Sequence, residues 1–179
     1  MKGLDCAFER VRWAEGIRRV AGIDEAGRGP LAGPVVAAAV VFPPEVWIQG
    51  VDDSKALNPK RRERLFDVIL GCAEDVGVGI VYHEEIDTIN ILRATIKAMH
   101  DAVALLQTPP GHLLIDGPRF SHPAIPSTAI VGGDARCFAI AAASIVAKVT
   151  RDRMMEEYER LYPGYGFARH KGYGTAAHL

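Results

Sequence analysis

The chain has 179 residues, of which 49% are hydrophobic and 24% are charged, with a formal net charge of −1. This length and composition are typical of one globular domain with a sizeable core, and we expect residues 1–179 to form it. A net charge near zero excludes a strong overall attraction to nucleic acid, so a nucleic-acid-binding site would need local basic clusters.

The cysteines and the hydropathy pattern exclude several classes of protein. Three scattered cysteines form neither a disulfide framework nor a zinc-binding spacing, and they indicate a reducing, cytoplasmic setting. The longest apolar run, Val35 to Phe42, is too short to cross a bilayer, and the charged N-terminus lacks the apolar core of a signal peptide. We therefore expect a monomeric cytoplasmic protein without membrane contact.

Turn residues and hydrophobic periodicity predict alternating strands and helices. One short helix is expected within residues 1–18. The further predicted elements are strands at Val20–Asp24 and Pro34–Phe42 (the second at the sheet centre), a helix from Asn58-Pro59 to about Ala73, a strand at Val76–Tyr82, an amphipathic helix at Ile89–Leu106, strands at His112–Gly117 and Ser127–Val131, and a long helix from about Ala135 to Tyr162. This order is typical of an α/β domain.

The most informative stretch is Val20 to Pro30, where an apolar run ends in Asp24 and Glu25. Two carboxylates at the end of a strand can converge on one cation. The Gly27-Arg28-Gly29 loop follows at once; its glycines allow a close backbone approach to a ligand, and the guanidinium suits a phosphate. The pattern favours phosphodiester chemistry, and the alternative is a polar strand end followed by a tight turn.

Two further carboxylates, Asp116 and Asp134, follow predicted strands. Ligands gather at such strand ends in α/β sheets, and clustered carboxylates repel one another unless cations neutralise them. Oxygen ligands of this kind suit Mg²⁺ or Mn²⁺. The alternatives are a helix N-cap role for Asp134 and a turn role for Asp116.

Basic and aromatic residues supply candidate contacts to a substrate. Ser54 and Lys55 lie in a polar loop and could hold a phosphate. Tyr173 lies between glycines, which would expose its ring for stacking, although a surface turn explains the same pattern.

Asp152 lies one helical turn after Lys148 within the long helix. A salt bridge from Asp152 to Lys148 or to a neighbouring arginine is the expected role, and Lys148 and Asp152 are also candidates to support the site from behind. The basic residues at the start of the second helix either face an anion or form a solvated surface; they are Lys60, Arg61, Arg62 and Arg64.

Six stretches in this order resemble the ribonuclease HII family over nearly the whole chain. They are Gly22–Leu31, Asp53–Lys55, Leu113–Gly117, Gly133-Asp134, Ile140–Arg153 and Tyr165–Tyr173. The resemblance implies an RNase H-like fold, with a mixed sheet flanked by helices and a small C-terminal helical or loop segment. It also implies cleavage of RNA in RNA–DNA hybrids and of single ribonucleotides embedded in duplex DNA.

The resemblance assigns roles to particular residues. The family's metal ligands and catalytic residues fall on Asp24, Glu25, Asp116 and Asp134. The loop that senses the 2′-hydroxyl falls on residues 27–29, and the tyrosine that stacks on the sugar after the ribonucleotide falls on Tyr173. Ser54 and Lys55 fall where the family touches phosphates, and the chain stops at Leu179, where the family usually continues.

These assignments imply hydrolysis assisted by two divalent ions on the 5′ side of the ribonucleotide, leaving 3′-hydroxyl and 5′-phosphate ends. Two rival functions remain open. One is a metal-dependent DNA nuclease or resolvase of the same fold that ignores the sugar, and the other is a non-catalytic hybrid-binding protein.

Overall fold

The computed structural model describes residues 4–52, 54–118 and 120–176. Within these ranges the chain forms five strands and six α-helices. The strands are β1 (Val20–Ala26), β2 (Val35–Val41), β3 (Asp75–Val81), β4 (His112–Asp116) and β5 (Ser127–Ile130). The helices are α1 (Ala7–Ala14), α2 (Pro59–Cys72), α3 (His83–Ile89), α4 (Ile91–Ala104), α5 (Phe138–Leu161) and α6 (Phe167–His170).

The strands form one mixed sheet in the order β3-β2-β1-β4-β5. β1 pairs antiparallel with β2 and parallel with β4, and β5 continues the parallel side. The predicted mixed sheet with flanking helices is therefore confirmed, and β2 is an interior strand as predicted, with β1 next to it in the middle of the order. Because β1, β4 and β5 run in the same direction, their carboxyl ends meet at one edge of the sheet.

Helices cover both faces of the sheet. Phe138, Ile145 and other buried side chains of α5 pack on one face with α2, and Met99 with the buried alanines of α4 packs on the other. Every residue of β2 is buried, as its run of valine and alanine predicts for a strand covered on both faces. The result is a three-layer arrangement with α5 directly behind the middle strand.

Small residues allow the helices to lie close to the sheet. A Cβ atom added at Gly22 of β1 would lie 2.1 Å from the carbonyl carbon of Ala139 in α5. On the other face, a Cβ at Gly79 of β3 would lie 2.0 Å from the carbonyl oxygen of Ala98 in α4. Backbone therefore packs directly on backbone at both helix–sheet contacts.

Three predicted boundaries differ from the structure. The helix expected over residues 89–106 is α4 (Ile91–Ala104), and a separate short helix that was not predicted, α3 (His83–Ile89), precedes it; Asn90, at φ 71°, lies between the two. Its side chain accepts hydrogen bonds from the amides of Leu92 and Arg93, at 3.0 and 3.1 Å, and so begins α4. The long helix starts at Phe138 rather than Ala135, after a 3₁₀ turn at Gly133–Ala135, and β1 extends to Ala26.

The other predicted elements are confirmed within a residue or two. Asn58 caps α2 by accepting from the amide of Arg61 at 2.9 Å, as the Asn-Pro pair indicated. All three cysteines are free thiols. Among the described residues, no helix combines the length and the apolarity that a membrane span requires.

The contact between β1 and α5 gives a test of the fold. We expect Gly22→Ala to lower the free energy of unfolding by about 3 kcal/mol or more, because the methyl group meets backbone that cannot move aside. Gly71→Ala, in α2, is the matched control: no atom lies within 4 Å of its added Cβ, and alanine should stabilise the helix by about 0.5–1 kcal/mol. Chemical denaturation measures both changes. Equal stability of the two variants would contradict the close packing.

Candidate active site at the carboxyl ends of the parallel strands

The register of the sheet brings the predicted carboxylates to one edge. Ile23 of β1 pairs with Ile115 of β4, so Asp24 and Asp116 are the next residues along these two strands. The ladder with β4 ends at Ile23, whereas β1 stays paired with β2 as far as Ala26. Asp24 and Asp116 therefore lie side by side where the parallel ladder ends.

Asp24 is the most buried of these carboxylates, with 4% of its surface exposed. Its Oδ1 accepts a hydrogen bond from the amide of Glu25 at 2.7 Å, and the hydroxyl of Ser144 in α5 also bonds to it. Burial raises the pKa of Asp24 well above its ordinary value, and the nearby charges of Glu25 and Asp116 raise it further. The fold thus holds this carboxylate where its charge is costly, since it is shielded from solvent and lies next to two other carboxylates.

Asp116 is held by the turn that follows β5. Its Oδ1 accepts from the amide of Gly133 at 2.6 Å. Burial raises the pKa of Asp116, and this hydrogen bond opposes the rise. A Cβ at Gly133 would lie 2.6 Å from Ile140 and 3.3 Å from that Oδ1, so glycine permits the contact.

Asp134 lies in the 3₁₀ turn and is not a helix N-cap, because Cys137 occupies the position before α5. Its Oδ2 is 3.2 Å from the Nζ of Lys55, whose side chain is 77% exposed. Asp134 also contributes to the raised pKa of Asp116. The structure therefore places Asp134 and Lys55 at the same edge as the other acids.

The carboxylate oxygens at this edge of the sheet suit a hard divalent cation, although they are not arranged as a formed metal site. Among the described residues, no three His, Cys, Asp or Glu side chains stand in the arrangement of a formed metal site. The charge of Asp116 nevertheless raises the pKa of both Asp24 and Glu25, and the charge of Glu25 raises that of Asp24. Buried carboxylates that repel one another supply the oxygen ligands and the negative charge that Mg²⁺ or Mn²⁺ requires.

The glycine loop leaves β1 beside these acids. The guanidinium of Arg28 lies 3.3 Å from Oε1 of Glu25 and remains 36% exposed. Gly27 adopts φ 109°, and a Cβ there would lie 2.4 Å from the carbonyl oxygen of Pro34. Only glycine fits this position, and the backbone of the loop stays accessible.

Tyr173 lies across from this loop and is 44% exposed. A Cβ at Gly29 would be 3.7 Å from the ring, and the Nζ of Lys148 is 5.8 Å from the ring centroid. Lys148 forms the predicted salt bridge with Asp152 at 2.6 Å, which confirms that pairing. The structure thus brings the loop, the tyrosine and Lys148 together.

The prediction that Ser54 touches a phosphate is not supported by its position. The side chain is 3% exposed, and its hydroxyl is 2.8 Å from that of Ser144. Because Ser144 also bonds to Asp24, Ser54 supports the acid from behind. Arg62 holds the loop by donating to the carbonyl oxygens of Ser54 and Leu57, and Asp53 lies outside the described residues.

A pocket of about 180 Å³ opens next to the acids. Glu25, Arg28 and Asp116 form its polar side, and Met99 and Phe120 belong to its apolar side. The hydrophobic pattern did not predict this apolar wall, because it forms only where α4 packs beside the segment that follows β4.

Arg151 of α5 is a buried residue that sequence reasoning did not assign. It is 1% exposed, and among the described residues no carboxylate forms an ion pair with it. Its guanidinium donates to the carbonyl oxygens of Ala32, Pro34 and Lys171 at 2.8–2.9 Å. Its position on the same helical stripe as Ser144 and Met155 indicates burial, but not which groups it binds.

Arg151 therefore joins the segment after the glycine loop to the segment that carries Tyr173. The carbonyl of Gly172 completes the junction by accepting from the amides of Leu31, at 2.8 Å, and Ala32, at 3.3 Å. The relative position of the two candidate substrate contacts depends on the Arg151 side chain and on these two backbone hydrogen bonds.

We expect Arg151→Lys to lower the free energy of unfolding by about 2–4 kcal/mol, because the lysine ammonium cannot donate to all three carbonyl oxygens, which are arranged around a planar guanidinium. Hydrogen exchange at the amides of Leu31 and Ala32 should also become faster. Arg153→Lys is the control, since Arg153 forms an exposed ion pair with Glu63, and its cost should stay below about 1 kcal/mol. Thermal unfolding with exchange mass spectrometry measures both effects. An Arg151→Lys protein as stable and protected as the wild type would contradict the junction.

Comparison with known proteins identifies relatives of this chain. A family model described as Ribonuclease HII matches residues 21–179. The Ribonuclease HII of Geobacter metallireducens is 58% identical over 172 residues, which cover 96% of this chain and 81% of that protein.

Solved structures show the same fold. The ribonuclease H2 from Pyrococcus horikoshii aligns with a TM-score of 0.75 and 30% identity, covering 88% of this chain and 82% of its own. The Bst-RNase HIII in complex with Mn²⁺ aligns with a TM-score of 0.64 and 21% identity over 80% of this chain and 55% of that one, a likeness of fold alone. The matched family model, the high identity and the shared RNase H-like fold show that this chain belongs to the ribonuclease HII family of nucleases.

Proposed function

We propose that this protein is an endonuclease that hydrolyses the RNA strand of RNA–DNA hybrids and cuts on the 5′ side of single ribonucleotides embedded in duplex DNA. The products carry 3′-hydroxyl and 5′-phosphate ends. The observation that supports this most is the position of Asp24 and Asp116, side by side at the end of the parallel ladder and next to the glycine loop. A nuclease that recognises the sugar needs carboxylates that bind a cation and, next to them, a surface that contacts the sugar.

The glycine loop and Tyr173 account for the choice of sugar. The 2′-hydroxyl is what distinguishes RNA from DNA, and it both donates and accepts hydrogen bonds. Residues 27–29 offer backbone groups to it at close range, because neither glycine has a side chain in the way. The ring of Tyr173, close to Gly29, would stack on the next sugar along the strand.

The acids would hold Mg²⁺ or Mn²⁺, with two ions in the working complex. Asp24, Glu25, Asp116 and Asp134 are the proposed ligands. When bound, such ions supply an activated water for attack at phosphorus and neutralise the charge that develops on the leaving 3′-oxygen. Ser144 and the amide of Gly133 hold two of the ligands in place.

The exposed cations beside the acids have separate roles in this proposal. Lys55, 3.2 Å from Asp134, is placed to meet a phosphate of the substrate. Arg28 neutralises Glu25 until substrate binds. The free cysteines are compatible with a reducing cytoplasm as the place of action.

The function is tested with a duplex that contains one ribonucleotide, incubated with Mg²⁺, Mn²⁺ or a chelator, followed by mapping of the product ends. We expect one cut on the 5′ side of the ribonucleotide with either ion and none with the chelator. An all-DNA duplex of the same sequence should remain intact. Cleavage of that duplex would favour a nuclease that ignores the sugar, and binding without any cleavage would favour a hybrid-binding protein.

Asp116→Asn tests the metal ligands directly. The amide oxygen can still accept from Gly133, so we expect a normal unfolding temperature and a loss of turnover of about a hundredfold or more, because a charged ligand is gone. Asp101→Asn is the control, since Asp101 pairs with Lys97 on the exposed side of α4, and its turnover should stay within about twofold of the wild type. Initial rates and thermal unfolding measure the two properties. Unchanged turnover of the Asp116 variant would refute the assignment.

A further inference from the structure

A second groove lies between the start of α2 and the second half of α5, with a volume of about 240 Å³. We call it the α2–α5 groove. Its cationic side chains are Arg62, Lys148, Arg169 and Lys171. Nothing in the catalytic proposal uses this groove, whose lining combines these four cations with three carboxylates, Glu63, Asp152 and Glu156.

The charges of the groove are only partly balanced. Asp152 pairs with Lys148 at 2.6 Å and lies 3.7 Å from Arg62, and Glu156 pairs with Lys171 at 2.7 Å. Arg169 is exposed and forms no ion pair with any described residue. The same holds for three exposed cations at the start of α2, namely Lys60, Arg61 and Arg64. The surface therefore presents an excess of positive charge on a protein whose net charge is −1.

A larger groove on the other side of the Tyr173 segment has the opposite character. Its volume is about 680 Å³, and it lies between Leu31, α3 and the end of α5. Its lining includes Glu84, Asp87 and several tyrosines, with no Lys or Arg among the described lining residues. A polyanion that leaves the active site is therefore attracted to the α2–α5 groove and repelled by this one.

Helix α5 gives the distance between the groove and the acids. Ser144 bonds to Asp24, and Lys148 and Glu156 follow one and three turns later. At 1.5 Å per residue, the groove extends from about 6 to about 18 Å along the helix from Ser144. Each strand of duplex DNA carries one phosphate about every 3.4 Å of axis, so the groove spans roughly two to five nucleotides.

Tyr173 fixes the direction. Its ring lies between Gly29 and Lys148, and Lys148 is at the near end of the groove. In the proposed function this tyrosine stacks on the sugar after the ribonucleotide. The groove therefore continues toward the 3′ side of the cut.

Resting on the proposed function, we propose that the α2–α5 groove binds backbone phosphates of the duplex roughly two to five nucleotides on the 3′ side of the ribonucleotide, with Arg169 as a direct contact. The contact is to phosphate and reads no base sequence. It sets which way the duplex lies on the protein and adds affinity that depends on salt concentration.

Arg169→Glu tests this contact in the cleavage assay with a single-ribonucleotide duplex that extends about ten base pairs on the 3′ side. We expect KM to rise about three- to tenfold with kcat within about twofold, and the slope of log(kcat/KM) against log[salt] to become shallower by about one. Arg169→Lys should restore most of the affinity. Arg10→Glu makes the same change of charge on α1, where Arg10 is exposed and pairs with Glu45; it is the matched control and should leave KM within about twofold of the wild type.

The length of the duplex separates this contact from a general charge effect. On a duplex that ends one base pair after the ribonucleotide, the wild type and Arg169→Glu should have the same KM. If the wild type and Arg169→Glu have the same KM on the long duplex, or if the KM of Arg169→Glu rises equally on both duplexes, the groove does not bind these phosphates. Either result would leave the proposed function intact. A wild type that cuts neither duplex would instead refute the proposed function and the groove with it. Unfolding temperatures confirm that each variant is folded.

Discussion

The burial of Asp24 beside two other carboxylates is the constraint on which the rest of the site depends. A carboxylate that is 4% exposed has lost most of its water, and the charges of Glu25 and Asp116 oppose its ionisation further. Removing a charge from water without a counter-charge is among the most costly arrangements in a protein. The fold offsets part of this cost with the hydroxyl of Ser144 and the amide of Glu25, and a divalent cation would offset the remainder.

Helix α5 is the element that connects the parts of the site. Its first half lies against β1, because Gly22 allows backbone contact, and this brings Ser144 to Asp24. One and two turns later, Lys148 reaches the ring of Tyr173 and Arg151 binds the two segments that carry the proposed substrate contacts. A single rigid helix thus sets the acids, the glycine loop and the tyrosine at fixed distances from one another.

Much of this arrangement could be predicted from the sequence, because the signals are local. The strands, the cap at Asn58 and the three acids at strand ends follow from hydrophobic runs and turn residues near one another in the chain. Helix α3 could not be predicted, since none of its residues is buried, and neither could the break that follows it at Asn90. Its positive φ is tolerated because the side chain itself bonds to the amides of α4.

The roles of Ser54 and Arg151 could not be predicted for a different reason. Each depends on contacts between residues far apart in the chain: Ser54 with Ser144, and Arg151 with Ala32, Pro34 and Lys171. A polar residue in a loop and an arginine in a helix are both most often exposed, so the pattern favoured solvent or substrate as the partner. Only the packing of α5 against the loops shows that both side chains are buried.

The central claim is that the acids at this edge of the sheet gather around divalent ions. Its most direct test is a crystal structure of the protein soaked with Mn²⁺, with the ions located by anomalous scattering. We expect anomalous peaks within about 2.0–2.4 Å of carboxylate oxygens of Asp24, Glu25 and Asp116, the distance expected for hard divalent cations bound by oxygen. Anomalous peaks at other places in the protein, with no ion at these three carboxylates at a saturating concentration of Mn²⁺, would contradict this claim.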